Sequence, residues 1–267
     1  MGISSSQCVR PLGGCLLLLL SLPALPAALT VYTAPVPDYM ISTGASLERS
    51  SGLSVEILAG ALRAAHIDVR MAPAMPWTRA QAVAAQQAGA ILPELTRTPV
   101  REGQWKWLTI TYVERIYAVD MGGKPACSSL ACLKRTGLRV GARLGSGTDS
   151  LLRSAGITPY EASDTDTSFS QLASGRIDVL LVQKLALRAA LQSLARGEHS
   201  KYLAPLIPQL HYSLLDDEIP QWLVVSRTTP DDDAQRLRQA VESFRQSGQY
   251  RAIVAKYQHL VPLLRAY

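Results

Sequence analysis

The sequence predicts an α/β protein built on mainly parallel β-sheets. Short apolar or β-branched runs alternate along the chain with segments whose apolar residues have helical spacing. The run Val179–Val182 is continuously apolar, which is typical of a parallel strand covered on both faces. Glycine or proline separates many of these segments, as happens where one element ends and another begins. In such folds the ligands bind in loops at the carboxyl ends of the strands.

In the amino-terminal part, the clearest element is a helix at Ser54–His66. Its residues Val55, Leu58, Leu62 and Ala65 are spaced to form one apolar face. An alanine-rich helix follows further along and ends before a glycine. The elements predicted up to residue 120 are strand Thr30–Thr33, helix Ser54–His66, strand Val69–Met75, helix Thr78–Gln87, strand Ala90–Leu92 and strand Thr109–Val119.

The carboxyl-terminal part repeats the alternation of strands and helices. Strand Leu138–Ala142 runs into a glycine and serine turn and then into helix Thr148–Ser154. Pro230 and three aspartates open a helix that extends to about Ser247, with acids where the helix dipole favours them. The other predicted elements are helix Ser168–Ala173, strand Val179–Val182, helix Leu185–Ala195, strand Gln221–Ser226 and helix Tyr250–Tyr257.

Residues 1–28 have the pattern of a signal peptide that is removed on export. Arg10 supplies the positive start, Leu12–Leu22 the apolar core and Ala24–Ala28 the small residues of a cleavage zone. The core is too short, and its end too rich in proline, to span a bilayer. No later segment has the length of a membrane span. We therefore expect a soluble, exported protein.

The charged residues do not predict a nucleic-acid partner. Lysine and arginine number 27 against 21 acids, for a formal net charge of +6, and the basic residues are spread thinly without interleaved aromatics. The chain has no Gly-x-Ser-x-Gly elbow, phosphate loop, dinucleotide fingerprint or metal-ligand spacing of histidines. The sequence therefore predicts no cofactor and no metal, and favours a protein that is not an enzyme.

Two of the four cysteines lie in the predicted signal peptide, which leaves Cys127 and Cys132 in the mature chain. In an oxidising compartment such a close pair favours a disulfide that closes a small loop. Two free thiols are the alternative, while a metal site would need further ligands nearby.

Two polar turns carry the residue types that bind anions. The first, Thr96–Arg101, places two arginines after an apolar run, and a guanidinium can grip a carboxylate through two parallel hydrogen bonds. The second, Leu138–Thr148, reads as a strand, a glycine and serine turn and a helix start, whose free N–H groups favour negative charge. Together they indicate a small acidic solute held between two lobes.

The order of these motifs resembles the family 3 periplasmic solute-binding proteins, the polar-amino-acid type of bilobal importer receptor. The resemblance extends from Leu29 to about Gln258 and is most specific at Thr96–Arg101, Leu138–Thr148, Gly175–Asp178 and Phe244–Tyr250. It implies the periplasmic-binding-protein type II fold, with two mainly parallel sheets joined by a two-strand hinge. Lobe 1 would comprise residues 29–112 and 218–267, and lobe 2 residues 113–217.

The resemblance also implies a ligand site between the lobes. Arg101 matches the arginine that clamps the ligand α-carboxylate, and Ser146, Gly147 and Thr148 match the turn that holds the same group from lobe 2. Two aromatic positions of lobe 1, Tyr39 and Trp77, match residues that enclose the ligand side chain. Thr96 and Glu94 fall where small hydroxyl residues usually receive the ammonium group. The alternatives to ligand contact are purely structural: an ion pair of Arg101 with Glu102 at the surface, and a helix cap at Ser146.

Two residues depart from the family pattern. Gln183 stands where an aspartate of lobe 2 meets the ligand ammonium group, and a neutral amide cannot supply that charge. Glu94 replaces a small residue and could supply the charge from the opposite lobe. Arg143, at a position that faces the cleft in the family, adds a second cation. The residues therefore favour solute binding more strongly than amino-acid binding.

The function expected from the resemblance is a monomeric receptor that closes over a small carboxylate-bearing solute and docks on an inner-membrane ABC permease. Two alternatives share the architecture. The first is an exported dehydratase-like enzyme on small carboxylated rings, with Glu94 as general acid. The second is a sensor that presents its ligand-bound form to a membrane kinase.

Overall fold

The structure is a computed structural model that describes residues 1–2, 28–42, 46–122, 127–196 and 204–258. Most of the predicted signal peptide, residues 3–27, lies outside the described residues. Among the described residues, no helix is both long enough and apolar enough to cross a membrane.

The described residues form alternating strands and helices, as predicted. The strands are β1 (Thr30–Val31), β2 (Arg70–Met71), β3 (Ala90–Leu92), β4 (Trp105–Asp120), β5 (Val140–Arg143), β6 (Tyr160–Ala162), β7 (Val179–Gln183) and β8 (His211–Ser226). The α-helices are α1 (Leu53–Ala64), α2 (Trp77–Ala85), α3 (Leu130–Thr136), α4 (Gly147–Ser154), α5 (Thr165–Ala173), α6 (Lys184–Arg196), α7 (Asp231–Arg245) and α8 (Gly248–Gln258). Short 3-10 helices lie at Leu47–Arg49, Pro99–Arg101 and Ala204–Gln209.

The strands form two parallel groups joined by two long crossing strands. In the order β2-β1-β3-β8-β4-β7-β5-β6, β1 pairs in parallel with β2 and β3, while β5 pairs in parallel with β6 and β7. We call β1–β3 with α1, α2, α7 and α8 the first half, and β5–β7 with α3–α6 the second half. The predicted α/β fold is confirmed, and β4 and β8 join the two predicted sheets in one hydrogen-bonded sheet.

The two crossing strands are 16 residues each and pair antiparallel along their length. They extend well beyond the predicted Thr109–Val119 and Gln221–Ser226. Their register shifts between Trp107 and Thr109, between Ile110 and Tyr112, and between Arg115 and Tyr117, as at β-bulges. The start of β8 is polar and leads to Pro220, so its residues do not have the apolar alternation that predicts a strand.

Three groups of buried apolar residues form the core. The first lies in the first half and includes Ile57, Ile91 and Leu237. The other two cover opposite faces of the second half, because successive strand residues point to opposite faces: Leu181 belongs to one group, and Leu180 and Val182 to the other. The lobe boundaries suggested by the family resemblance remain a prediction.

Several predicted elements differ from the structure in length. Where a strand Val69–Met75 was predicted, the structure has a strand of only two residues, because Pro73 interrupts the segment. Helix α5 begins three residues before the predicted Ser168, since the Asp164 carboxylate accepts a hydrogen bond from the Thr167 N–H and caps it. Helix α3 and strand β6 were missed because both are short and partly exposed.

Cys127 and Cys132 lie together at the start of the second half. Their Cα atoms are 5.5 Å apart. This separation is compatible with the predicted disulfide.

Candidate functional site

The candidate site lies where the second half's parallel strands end. Arg143 is the last residue of β5 and Gln183 the last of β7, and helices α4 and α6 begin shortly after them. Loops from the first half face this edge, bringing Trp77 at the start of α2 and Arg101 at the end of a 3-10 helix. The topology therefore places candidate residues of both halves around one cleft, as expected for an α/β fold.

The turn before α4 is held by its own side chains. Gly145 has a positive φ of 70°, which allows the sharp turn out of β5. The Ser146 Oγ accepts a hydrogen bond from the Asp149 N–H at 3.1 Å and lies 2.9 Å from the Thr148 Oγ1. The helix cap that the sequence allowed at Ser146 is therefore present, and it orders the amino end of α4.

A direct contact between the halves, which we call the seam, forms at Gly145 and Gly147. The Arg101 guanidinium donates hydrogen bonds to the Thr96 carbonyl oxygen at 2.9 Å and to the Gly145 carbonyl oxygen at 3.0 Å. The Gln81 side-chain amide also donates to the Gly145 oxygen, at 3.3 Å. The seam is thus made by polar donors of the first half and a backbone acceptor of the second.

The seam is packed as tightly as glycine permits. A Cβ atom added to Gly147 would lie only 2.2 Å from the Thr96 Oγ1 and 3.0 Å from the Thr96 Cβ. Thr96 is itself held in place by the side-chain amide of Gln221, which donates to its Oγ1 at 3.2 Å. Only a residue without a side chain fits between this threonine and the start of α4.

A cavity of about 480 Å³ opens beside the seam and is lined by both halves. One wall is apolar and comes largely from Pro35, Val36, Pro37 and Trp77, with alanines of α6 opposite. The polar wall carries Arg143 and the beginning of α5. The volume of this cavity lies within the range of small-molecule sites.

A second, much smaller cavity adjoins the first. It measures about 10 Å³, room for one water-sized group, and is lined by Ser146, Thr148, Gln183 and Arg143. Arg143, Thr165 and Ala186 line both cavities, so the two meet at the Arg143 side chain. Four candidates from two parts of the sequence thus lie around one small cavity, whose remaining lining is partly apolar.

Glu94 and Glu114 form a buried acidic pair behind the seam. Burial raises the pKa of Glu94 to about 7, although hydrogen bonds from Tyr112 and Ser54 and the charge of Arg143 oppose the rise. Burial also raises the pKa of Glu114 to about 8, with a further rise from Glu94 and opposition from a hydrogen bond donated by the Leu185 N–H. Neither residue lines the two cavities just described.

Further contacts between the halves surround this acidic pair. The Tyr39 hydroxyl accepts a hydrogen bond from the Ala186 N–H at 3.3 Å, and it also bonds the Glu114 carboxylate. The Arg188 Nη1 lies 3.3 Å from Asp38 Oδ2, and both side chains are largely buried. Together they fasten the first turns of α6 to the loop that follows β1.

The structure brings the ten candidates to one interface but gives them different surroundings. Trp77 and Arg143 line the large cavity, and Arg143, Ser146, Thr148 and Gln183 line the small one. Thr96, Arg101 and Gly147 lie in the seam, while Tyr39 and Glu94 belong to the acidic cluster.

The sequence analysis missed Glu114 and Tyr112 of this cluster. Both lie on β4 at positions whose side chains point inward. An acid within an otherwise alternating strand is a sign of such a buried group, because a carboxylate rarely occupies an inward position without partners.

Within the described residues, no group of three or more His, Cys, Asp or Glu side chains is arranged to hold a metal ion. The charged groups of the interface are instead arranged around hydrogen-bond partners of the chain itself and around the two cavities. This arrangement suits the binding of a small polar solute.

No family model matches the sequence, and no curated protein matches it. Solved structures match the fold across most of the chain. An ancestral arginine-binding protein bound to glutamine is 17% identical with a TM-score of 0.63, and the comparison covers 88% of this chain and 99% of that one. A histidine kinase sensor domain similar to periplasmic binding proteins is 15% identical with a TM-score of 0.68, covering 87% and 96%.

An ancestral amino-acid-binding protein, a precursor of cyclohexadienyl dehydratase, is also similar. It is 11% identical with a TM-score of 0.63, and the comparison covers 86% of this chain and 95% of that one. Identities this low establish a shared fold only. The chain has the two-lobed α/β fold of periplasmic binding proteins, among whose solved structures are many that bind amino acids.

Proposed function

We propose that this protein is a periplasmic solute-binding receptor that closes its two lobes over a small carboxylate-bearing solute. The observation that carries the proposal is the 480 Å³ cavity, which draws its walls from both halves and lies beside the seam. Contacts such as Arg101 to Gly145 exist only when the halves are closed, so a solute that bridges the halves stabilises this form.

The rest of the proposal follows from the same reading. Residues 1–28 direct the chain to the periplasm and are removed, and Cys127 and Cys132 are joined there as a disulfide. The closed form, as a monomer, delivers its solute to an ABC permease of the inner membrane. The names of the amino-acid-binding proteins with this fold support an importer role.

The proposed role of Arg101 changes in light of its contacts. Two of its N–H groups already bond backbone oxygens on the two sides of the seam, and the residue does not line the large cavity. We therefore propose that Arg101 stabilises closure instead of clamping the solute carboxylate. Burial lowers the pKa of Arg101 to about 10, so it keeps its charge at neutral pH.

The first experiment asks whether the protein carries a solute. Protein exported by its host would be studied by native mass spectrometry, and small-angle X-ray scattering would be recorded before and after removal of any bound molecule. We expect a small acidic molecule in the closed form and a larger radius of gyration once it is removed. A chain with no bound solute, and with identical scattering across a broad panel of metabolites, would contradict receptor function.

The second experiment tests the seam. Arg101→Ala removes a charge-assisted hydrogen bond between the halves, worth roughly 1.5–3 kcal/mol, so the affinity for every solute should fall at least about tenfold. Calorimetry measures the affinity, and circular dichroism confirms that the variant folds. Arg63→Ala, an exposed arginine of α1, is the matched control. Unchanged affinity in Arg101→Ala would reject the assignment.

One alternative function has an observation in its favour. Glu94 and Glu114 have pKa values near neutrality, as expected of acid–base catalysts, and an ancestral precursor of cyclohexadienyl dehydratase shares the fold. Glu94 is bonded by Tyr112, and Glu114 by Tyr39 and the Leu185 N–H, and neither residue lines the two cavities, which favours the receptor. Incubation with prephenate-like acids, followed by product detection, separates the two functions.

A further inference from the structure

Arg143 is a second guanidinium in the cleft, and its surroundings differ from those of Arg101. Its side chain lines both cavities, and no carbonyl or carboxylate oxygen of the described residues accepts a hydrogen bond from it. Its charged neighbours, Glu94 and Asp164, act on it through the field alone. An arginine with free N–H groups facing a cavity is available to bind an anion.

Gln183 offers a second free polar group at the same place. The residue is buried, with 9% of its surface exposed, and it lines the small cavity. Within the described part of the chain, its side-chain amide makes no hydrogen bond, although buried polar groups normally have partners. A ligand oxygen within reach of the amide N–H and the Arg143 guanidinium would satisfy both groups.

The backbone around the small cavity adds to the positive potential. Helices α4 and α5 both begin at it, with Ser146 and Thr148 at the start of one and Thr165 at the start of the other. The amino ends of helices carry partial positive charge and favour anions. The cavity has room for about one water-sized group, which suits a single carboxylate oxygen.

Two carboxylates of the described residues, Asp164 and Asp166, line the large cavity, and each already accepts hydrogen bonds from the chain, which weakens it as a receiver of an ammonium group. Gln183 is neutral, and Glu94 accepts from Tyr112 outside both cavities. Asp164 accepts hydrogen bonds from the Thr167 N–H and the Ser163 hydroxyl, and Asp166 accepts from the Ser193 hydroxyl. The prolines, Trp77 and the α6 alanines that line the large cavity offer apolar contact.

We propose that the solute is an organic carboxylate with an apolar body and no α-ammonium group. Its carboxylate binds Arg143 and Gln183 where the two cavities meet, and its body packs against Trp77 and the proline wall of the large cavity. This inference rests on the proposed receptor function and names the ligand class of the same cleft. It also separates the anion-binding arginine, Arg143, from the seam arginine, Arg101.

The experiment compares acids that share a carbon skeleton and differ in the ammonium group. Calorimetry measures hydrocinnamate against L-phenylalanine, isocaproate against L-leucine, and indolepropionate against L-tryptophan. In the wild-type protein, the acid without the ammonium group should bind roughly tenfold tighter in at least one pair, since a buried unpaired ammonium is penalised. Tighter binding of the amino acid in every pair would overturn the proposal.

Variants test which groups make the contact. Arg143→Gln should weaken binding of the preferred acid roughly ten- to hundredfold, whereas Arg135→Gln, an exposed arginine of the same half, should leave it unchanged. Gln183→Asp places a negative charge beside the ligand carboxylate and should shift the preference toward the amino acid of the same pair. Arg101→Ala should weaken both members of a pair equally, because it acts on closure. Equal loss in Arg143→Gln and Arg135→Gln would overturn the contact.

The outcomes also separate this inference from the proposed function. If none of the six compounds binds, and native mass spectrometry finds a solute with an ammonium group, the ligand class is wrong and the receptor function stands. If none of the six compounds binds and native mass spectrometry finds no bound solute, the ligand class and the receptor function are both contradicted.

Discussion

Arg101 and Arg143 are the same residue type on opposite sides of one cleft, but their surroundings differ. Arg101 is buried in the seam, and its N–H groups bond the Thr96 and Gly145 backbone oxygens. Arg143 lines two cavities and has no hydrogen-bond partner among the described residues. The first guanidinium is already hydrogen-bonded to backbone oxygens of the protein, while the second can bond a ligand in the cavities.

For the receptor proposed above, the difference separates two kinds of polar contact. Contacts between the halves, such as those of Arg101, Asp38 and Tyr39, set how easily the molecule closes. Contacts left open in the cavity set which solute makes closure favourable. A ligand can shift the equilibrium only through the contacts that it makes in the closed form. The following changes test this separation.

Asp38→Asn should have the largest effect. It leaves the buried Arg188 charge without its partner across the cleft, and breaking a buried pair costs about 3–5 kcal/mol. Asn tolerates the positive φ of 65° at this position, so the backbone is not strained. Urea unfolding measures the loss. Glu48→Gln breaks the exposed Arg63 pair and should cost at most about 1 kcal/mol. Similar losses in both variants would show that the pair across the cleft contributes nothing special.

Gly147→Ala should loosen the seam by steric means. Its Cβ would meet the Thr96 Oγ1 at 2.2 Å, so the halves must separate slightly, and overpacking costs about 1–3 kcal/mol. Scattering should show a larger radius of gyration and calorimetry a weaker affinity for all solutes. Gly103→Ala, where an added Cβ meets nothing within 4 Å, is the matched control. A compact Gly147→Ala variant with full affinity would break the distinction between seam and cavity.

The acidic pair predicts that stability depends on pH. The pKa of Glu94 rises from 4.5 to about 7 and that of Glu114 from 4.5 to about 8. At a pH between 4.5 and these raised pKa values, the folded chain holds more protons than the unfolded chain. The free energy of unfolding therefore falls as pH rises from about 4.5 to 8, by up to about 1.4 kcal/mol per pH unit for each of the two carboxyl groups. Glu114→Gln should make this decline shallower in urea titrations from pH 5 to 8. Glu242→Gln, on the exposed face of α7, should leave the decline parallel to that of the wild type.

The disulfide should have the smallest effect on the cleft. The proposed disulfide of Cys127 with Cys132 closes a short loop, and neither cysteine lines the two cavities, so Cys127→Ser with Cys132→Ser should cost at most about 2 kcal/mol of stability. Solute affinity should stay the same. Mass spectrometry under denaturing conditions checks that the pair is oxidised in the wild-type protein. A large loss of affinity in the double variant would show that this loop communicates with the cleft.

The sequence predicts the elements of this fold better than the roles within its site. Helix α1 was predicted to within two residues because Val55, Leu58 and Leu62 lie on one face. The first part of β8 was missed, since its polar residues and Pro220 pair with β4, a partner about a hundred positions earlier in the chain.

For the site, the sequence predicts which residues lie near the interface between the halves, but not which partner each of them bonds. The residue types at Arg101 and Arg143 both suit a carboxylate, and only the closed arrangement shows that a carbonyl oxygen already occupies the first. The sequence does not predict the buried position of Glu114, because its partners, Tyr39 and the Leu185 N–H, are distant in sequence. Local pattern predicts what a side chain can bind, whereas its actual partner depends on how the two halves meet.

The long pairing of β4 with β8 has a consequence for how the chain is made. Strand β4 must wait for β8, because Trp105 pairs with Ser226 and Asp120 with His211. Strands β5, β6 and β7 lie entirely between them, so the second half is synthesised as one piece before β8, α7 and α8, on which the first half depends. Such distant pairings form slowly. A newly made chain therefore holds its amino-terminal portion unfinished for longest.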